Sequence, residues 1–197
     1  MYNGKTFILT IVVAVYSCMA SSCGNGENDF IRYKTSKEKD PRDIKGVEPV
    51  LQKYIYSWEK EFGLIGDISI GFKEVTKSKN AIGVCLTWTG QKRKYKQIEI
   101  KRSYYNTVMK NIAPDFPEKA DKMIEQLVYH ELGHCHLEQD HRDYWVDGKP
   151  GSIMRSFAFN SSEIQNYYIP EHSYYVEELK TININQAIVP INITGSY

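Results

Sequence analysis

From Val47 to Phe62 the apolar positions Val47, Val50, Leu51, Tyr54, Ile55 and Trp58 recur at helical spacing, and Gly63 and Gly66 suit a helix exit. Three strand-like runs follow. Ile68–Val75 alternates around Ile68, Ile70 and Phe72, Ala81–Trp88 (AIGVCLTW) is β-branched and aromatic, and Tyr95–Lys101 alternates around Ile98 and Ile100. The TGQKRK stretch between the last two reads as an exposed turn with a basic tip. Ser103–Ile112 suits a short helix ending before Pro114. Asp115, followed three residues later by Glu118, resembles a capping box with Pro117 in the first turn, and helical spacing then continues to about Leu137. Along that helix Ile124, Val128, Leu132 and Cys135 form one stripe, which would face the core. Met123, Leu127, His130 and His134 form a second stripe beside it. A loop over 139–152, an irregular stretch, a helix over Glu171–Lys180 and a strand-prone tail over 181–197 complete the pattern. The expected fold class is α+β.

The amino-terminus follows a different pattern. One basic residue, Lys5, precedes the apolar run Thr6–Val15, and small residues follow at Ala20, Ser21 and Ser22 before Cys23. Such a run is too short to span a membrane and has the form of a secretory signal over residues 1–22. MASSCGNG resembles the cleavage site of bacterial lipoproteins, in which the cysteine, here Cys23, becomes the first mature residue and carries lipid. Ala20 stands where that pattern usually has Leu, and Cys18 fits less well because Tyr16 precedes it. The resemblance implies an exported protein, anchored by lipid to the cell envelope at the outer membrane and facing the periplasm or the cell surface. The polar residues 23–45 then read as a flexible tether and 46–197 as the folded domain. Cys85 and Cys135 would be the remaining thiols, free to pair or to serve as small buried hydrophobes.

Charge narrows the choice of partners. The chain has 197 residues, with 25 Lys+Arg against 24 Asp+Glu. Losing residues 1–22 removes one base, Lys5, and no acid, so the mature chain has 24 of each sign. Such a balance offers no cationic field for nucleic acid. Fifteen tyrosines, apolar in body and polar at the tip, suit a modest core under a peptide-binding surface.

Histidine is scarce, and four of the five fall within HELGHCHLEQDH, residues 130–141. His130 and His134, four apart, share one face of a helix, so two ring nitrogens can hold one Zn²⁺. Glu131 lies beside that metal edge, where it can take a proton from a metal-bound water. A third ligand is expected nearby. His141, seven residues past His134, is the first choice, Asp140 the alternative, and Glu163, Glu177 or Glu178 more distant ones. Gly133 would let another backbone approach the helix. His136 points away around the helix and reads as a surface or supporting side chain, and isolated His172 as structural.

HELGHCHLEQDH resembles the active helix of zincin-class zinc metallopeptidases, and the downstream GSIM, ending at Met154, resembles the Met-turn of their metzincin branch. The resemblance covers residues 95–157 by motif. It implies a small twisted mixed sheet packed on the active-site helix, with a C-terminal helical subdomain. It also implies a zinc cofactor and peptide hydrolysis, with Glu131 as general base and Met154 as a floor beneath the metal. A peptide substrate would add to a sheet edge, expected near Gln97–Lys101. The spacing departs from the branch pattern HExxHxxGxxH: Leu137 and Asp140 stand where Gly and the third ligand would, and Glu138 occupies a turn that Gly would ease. Tyr144, Tyr167 and Tyr168 are available to assist the reaction. A monomer acting on peptides or proteins is expected. The rival reading is a catalytically inactive, lipid-anchored binding protein of the same fold, which would have no need of Glu131.

Overall fold

The computed structural model describes residues 30–35, 39–78 and 80–186. The signal segment, Cys23 and the tail beyond 186 lie outside the described residues. Strand β1 (Phe30–Lys34) comes first. A 3-10 turn (Pro49–Leu51) leads into helix α1 (Gln52–Phe62). Strands β2 (Ile68–Lys73), β3 (Gly83–Thr89) and β4 (Lys94–Lys101) follow. Helix α2 (Arg102–Asn111) precedes the long helix α3 (Pro117–Cys135). A small hairpin, β5 (Trp145–Val146) and β6 (Lys149–Pro150), leads to the single turn α4 (Ser161–Glu163), a π-helical turn (Ile164–Tyr168) and helix α5 (His172–Gln186). The protein is therefore a mixed α and β structure. Among the described residues, no helix is long and apolar enough to cross a membrane.

The main sheet has the order β1-β3-β4-β2. β3 and β4 are antiparallel through the GQKRK hairpin, while β1 runs parallel to β3 and β2 parallel to β4. Period-two alternation divides the sheet into two faces. Cys85, Ile98, Ile100 and Ile70 face the helices, where Trp58, Ile124, Leu127, Val128, Tyr129 and Leu132 complete the main core. Val84, Leu86, Trp88 and Tyr95 form a smaller cluster with Ile31 on the opposite face. Both stripes expected on α3 are buried, including His130 and His134. From Met123 to Cys135 the helix is buried all round, polar residues included, because sheet, α1 and the C-terminal helices enclose it. Cys85 and Cys135 are bonded to each other, with Cα atoms 5.6 Å apart. This pairing resolves the alternatives left by the sequence and fixes the last residue of α3 to β3.

Several expectations need correction. Phe30–Lys34, read as flexible tether, is a strand: Ile31 packs on the second cluster, and Tyr33 stacks on Trp88 at 5.7 Å. Residues 40–44, also assigned to the tether, lie against the sheet, where the Gln97 Oε1 accepts the backbone N–H groups of Asp43 and Ile44 at 3.0 Å each. Residues 30–34 and 40–44 therefore do not belong to the tether expected over 23–45. Val47, counted as helical, instead bridges to Ile70. The Asp115–Glu118 capping box does not form. Phe116 is the N-cap and Pro117 opens the helix, so Asp115 lies one residue too early to cap it. Residues 181–186, read as strand-prone, prolong α5, because adding a residue to an existing helix needs no new nucleus. Finally, Gln97–Lys101 belongs to β4, which is paired on both sides, so the strand expected to receive a peptide has no free edge.

Candidate metal centre

The last two turns of α3 carry His130 and His134, and the chain must then reverse to bring His141 back. The reversal is a left-handed turn at the helix end. Gln139 N–H donates to the Gly133 carbonyl at 3.0 Å, and Glu138 takes φ 56°. This conformation normally favours glycine. Here the Glu138 carboxylate is gripped by Lys94 and Lys96, each at 3.0 Å, and Lys96 also donates to the Cys135 carbonyl. Those ammonium groups hold its carboxyl down at about 2. The missing glycine of the turn is thus replaced by a side chain with its own electrostatic anchor.

The turn brings three imidazoles together. His134 Nε2 lies 3.1 Å from His130 Nε2 and 3.1 Å from His141 Nε2. The nitrogens of His130, His134 and His141 are all within 4.8 Å of one another. Backbone carbonyls fix the tautomers. His130 Nδ1 is 2.9 Å from the Ile153 carbonyl, and His134 Nδ1 is 2.6 Å from that of Gln139. A carbonyl can only accept, so each Nδ1 bears the hydrogen and each Nε2 presents a lone pair. Burial, and next the neighbouring His141, hold His134 down at about 3, so the ring is neutral. Two such lone pairs facing one another at 3.1 Å repel unless a cation lies between them. Nitrogens held at ~2.0–2.1 Å by a tetrahedral ion stand about 3.3 Å apart, close to the spacing found here. The donor set therefore fits a divalent metal, and carbonyls orienting the far ring nitrogens are the usual support of such ligands.

Two glycines allow close approach at this centre. Glu131 is fully buried, and a Cβ placed on Gly83 of β3 would lie 2.4 Å from its Oε1. The base expected from the sequence is therefore packed on the bare backbone of β3. A Cβ on Gly133 would lie 2.2 Å from Met154 Sδ, so the sulfur rests directly on the helix backbone at Gly133. The turn carrying Met154 also supplies the Ile153 carbonyl to His130, and Arg142 N–H closes it by donating to the Met154 carbonyl at 2.7 Å.

Helix α5 holds the loop that bears His141. Glu178 accepts from Tyr144 Oη at 2.9 Å, from Ser152 Oγ at 3.0 Å and from Arg142. Gln139 donates its side-chain amide to the Leu179 carbonyl at 3.1 Å. Glu178, one of the distant ligands considered, is thus a clamp on both flanks of the site instead of a ligand. Glu163 pairs with Arg155, Glu177 pairs with Lys180, and Asp140 is exposed; none of these joins the imidazoles. His136 lies apart from them, accepting from Trp58 Nε1 at 2.9 Å. His172 donates to Glu125 at 2.7 Å and is structural. Among the tyrosines considered, Tyr144 serves Glu178, Tyr168 donates to Glu125 at 3.2 Å, and Tyr167 packs on the core. Gly83, Ile153 and Glu178 escaped sequence reasoning. Their importance arises from contacts across 23 to 48 residues, and only the glycine inside an otherwise apolar strand carries a local signal.

No protein-family model, curated protein sequence or solved structure matches this chain.

Proposed function

We propose that this chain is a zinc-dependent peptidase of the zincin class, resembling the metzincin branch, and most simply an endopeptidase. The carrying observation is the pair of Nε2 lone pairs held face to face at 3.1 Å while both Nδ1 hydrogens are committed to backbone carbonyls. His130, His134 and His141 would hold the ion. When bound, zinc supplies an acidified water and polarises the peptide carbonyl. Glu131 would accept a proton and pass it to the leaving amine, a role suited to a carboxylate kept away from bulk solvent. Met154, Gly133 and the Glu178 clamp keep the ligands in place. Export as a lipoprotein through Cys23 belongs to the same proposal. The buried Cys85–Cys135 bond supports it, since such bonds persist in oxidising compartments.

The test has two stages. Purified mature protein, stripped and reloaded, is expected to take up one zinc per chain. It should then hydrolyse members of a broad peptide library, while Glu131→Gln keeps the zinc and loses hydrolysis. Failure of stoichiometric uptake sinks the metal reading. Uptake without hydrolysis by the wild type favours the inactive binding protein.

A further inference from the structure

The turn that follows α3 decides where two of the three imidazoles point. Gln139 N–H donates to the Gly133 carbonyl, which closes the turn. The Gln139 carbonyl in turn accepts from His134 Nδ1 at 2.6 Å, and His141 lies two residues further on. If the turn opens, His134 loses the partner that orients its ring, and His141 loses its approach to the other two. The metal centre is therefore only as well formed as this turn.

The conformation at the middle of the turn is costly for the residue that occupies it. Glu138 has φ 56°, where an L side chain crowds its own backbone and glycine does not. Among the described residues Asp147 is the other non-glycine residue with positive φ, and it opens an Asp-Gly hairpin turn, where that conformation is ordinary. Glu138 has no such local reason, and what holds it is charge. Lys94 and Lys96 of β4 each place an ammonium 3.0 Å from Glu138 Oε1, and Lys96 also donates to the Cys135 carbonyl at the helix end. The Cys85–Cys135 bond fixes the last residue of the helix, whereas the lysines act on the turn beyond it. The Lys94 and Glu138 side chains are 54% and 44% exposed, so dissolved salt reaches this pair.

We infer that Glu138, Lys94 and Lys96 form an electrostatic latch that positions His134 and His141, so that the affinity of the centre for its metal falls as ionic strength rises. The inference rests on the metal-binding half of the proposed function. The three are positioning residues, acting through the turn and not on the metal. Their effect enters the affinity as the fraction of molecules whose turn is closed before the metal arrives. Two substitutions at one position separate charge from conformation. Glu138→Gln keeps the strained conformation and loses the charge. Glu138→Gly removes the strain, so the turn closes without the latch, although glycine elsewhere loosens a chain.

The test is zinc affinity by chelator competition on the full mature chain, at about 0.05 M and about 1 M salt. Glu138→Gln is expected to bind zinc about tenfold more weakly than wild type at low salt, and Glu138→Gly within about twofold of it. High salt should weaken wild type by about threefold or more relative to Glu138→Gly, a comparison in which the effect of salt on metal and chelator cancels. Lys94→Met should weaken zinc in the wild-type background and change nothing in the Glu138→Gly background. Wild-type affinity in Glu138→Gln, equal weakening in the Gln and Gly variants, or one salt response shared by wild type and Glu138→Gly overturns the inference. Hydrogen exchange at the Gln139 amide in metal-free protein gives a second readout, independent of zinc and of activity. Its protection should drop about tenfold in Glu138→Gln and return in Glu138→Gly. Should a variant fail to fold, the same amide in the unaltered protein decides: protection that is equal at low and high salt would show that the turn holds without the latch. No zinc uptake by any form would sink the metal reading, and the affinity claim with it, while the Gln139 amide still reports on the latch. Stoichiometric zinc with a Gln139 amide indifferent to every substitution would spare the metal reading and sink the latch.

Discussion

Gly83→Ala isolates the contact between β3 and the proposed base. The added Cβ would stand 2.4 Å from Glu131 Oε1 and 2.9 Å from its Cδ and Cγ, whereas ordinary contact begins at 3.4 Å. The carboxylate must therefore move by about 1 Å, and it is fully buried, so it moves into packed neighbours. Elsewhere Gly→Ala at ordinary backbone angles stabilises by ~0.4–1 kcal/mol through the unfolded state, but overpacking costs about 1–3 kcal/mol, so the clash is expected to win. For activity, a ~1 Å misplacement of a reacting group costs on the order of 10²-fold. Zinc content, urea midpoint and kcat/KM are to be measured for Gly83→Ala, Glu131→Ala and the double variant. Zinc content should stay at the wild-type level in all three, because the ligands are untouched. Gly83→Ala should lose stability and about 10²-fold in kcat/KM. Its stability cost should shrink once Glu131 is truncated, since the obstructing atoms are gone. Strict additivity of the two stability changes would show that Gly83 and Glu131 do not press on each other, and the reasoning would fail.

Three further outcomes follow from the same geometry. Reducing Cys85–Cys135, whose partners are 50 residues apart, should cost about 4 kcal/mol in the chain-entropy view, read as a lowered urea midpoint with reductant present; an unchanged midpoint would show that the bond constrains nothing. Glu178→Gln should weaken zinc by ~10–100-fold in chelator competition while leaving the stoichiometry at one, because it loosens Arg142, Tyr144 and Ser152 around the loop of His141. The metal-free protein should lose stability as pH falls from about 6.5 towards 3. Burial depresses His134 in the fold, so the unfolded chain binds the extra proton first, and the contribution present above the ordinary histidine value is lost on the way down to about 3. Chelated protein with equal urea midpoints at pH 7 and pH 5 would contradict that.

What was legible in the sequence is what a single element can encode. Helix α3 announced itself because 3.6-residue periodicity and Pro117 are local signals, and His130 and His134 came with it because their spacing is a property of the helix. β2 and β4 could be read within two or three residues from alternation, and β3 from its β-branched and aromatic composition. β1 could not. FIRYK is a short run within an otherwise polar segment, and the strand it pairs with lies fifty-five residues away. The Cys pair was likewise open, since spacing in sequence does not fix spacing in space. His141 needed a turn that the local residues argue against, with Glu138 in a glycine's conformation, and what rescues the turn is a pair of lysines on β4.

The same division runs through the candidate site. The side chains that would do chemistry are consecutive or nearly so, because one helix and one turn suffice to converge them. The groups that make the convergence useful are scattered: a carbonyl at 153, an absent Cβ at 83, a carboxylate at 178. None of these has an identity that signals its role, since any residue has a carbonyl and many glycines lie in loops. A motif search on HExxH therefore finds the ligands and is blind to whether they are oriented. In this chain the orientation is what turns a cluster of histidines into a donor set. With Nδ1 hydrogens directed to Ile153 and Gln139, His130 and His134 have only their Nε2 lone pairs left to offer, and these point at each other. Rotating either ring by half a turn would break a buried hydrogen bond worth about 1 kcal/mol and leave a carbonyl unsatisfied at a further cost of ~1–3 kcal/mol. The fold thus pays to keep two acceptors in mutual repulsion, and a shared cation is the partner that removes that cost.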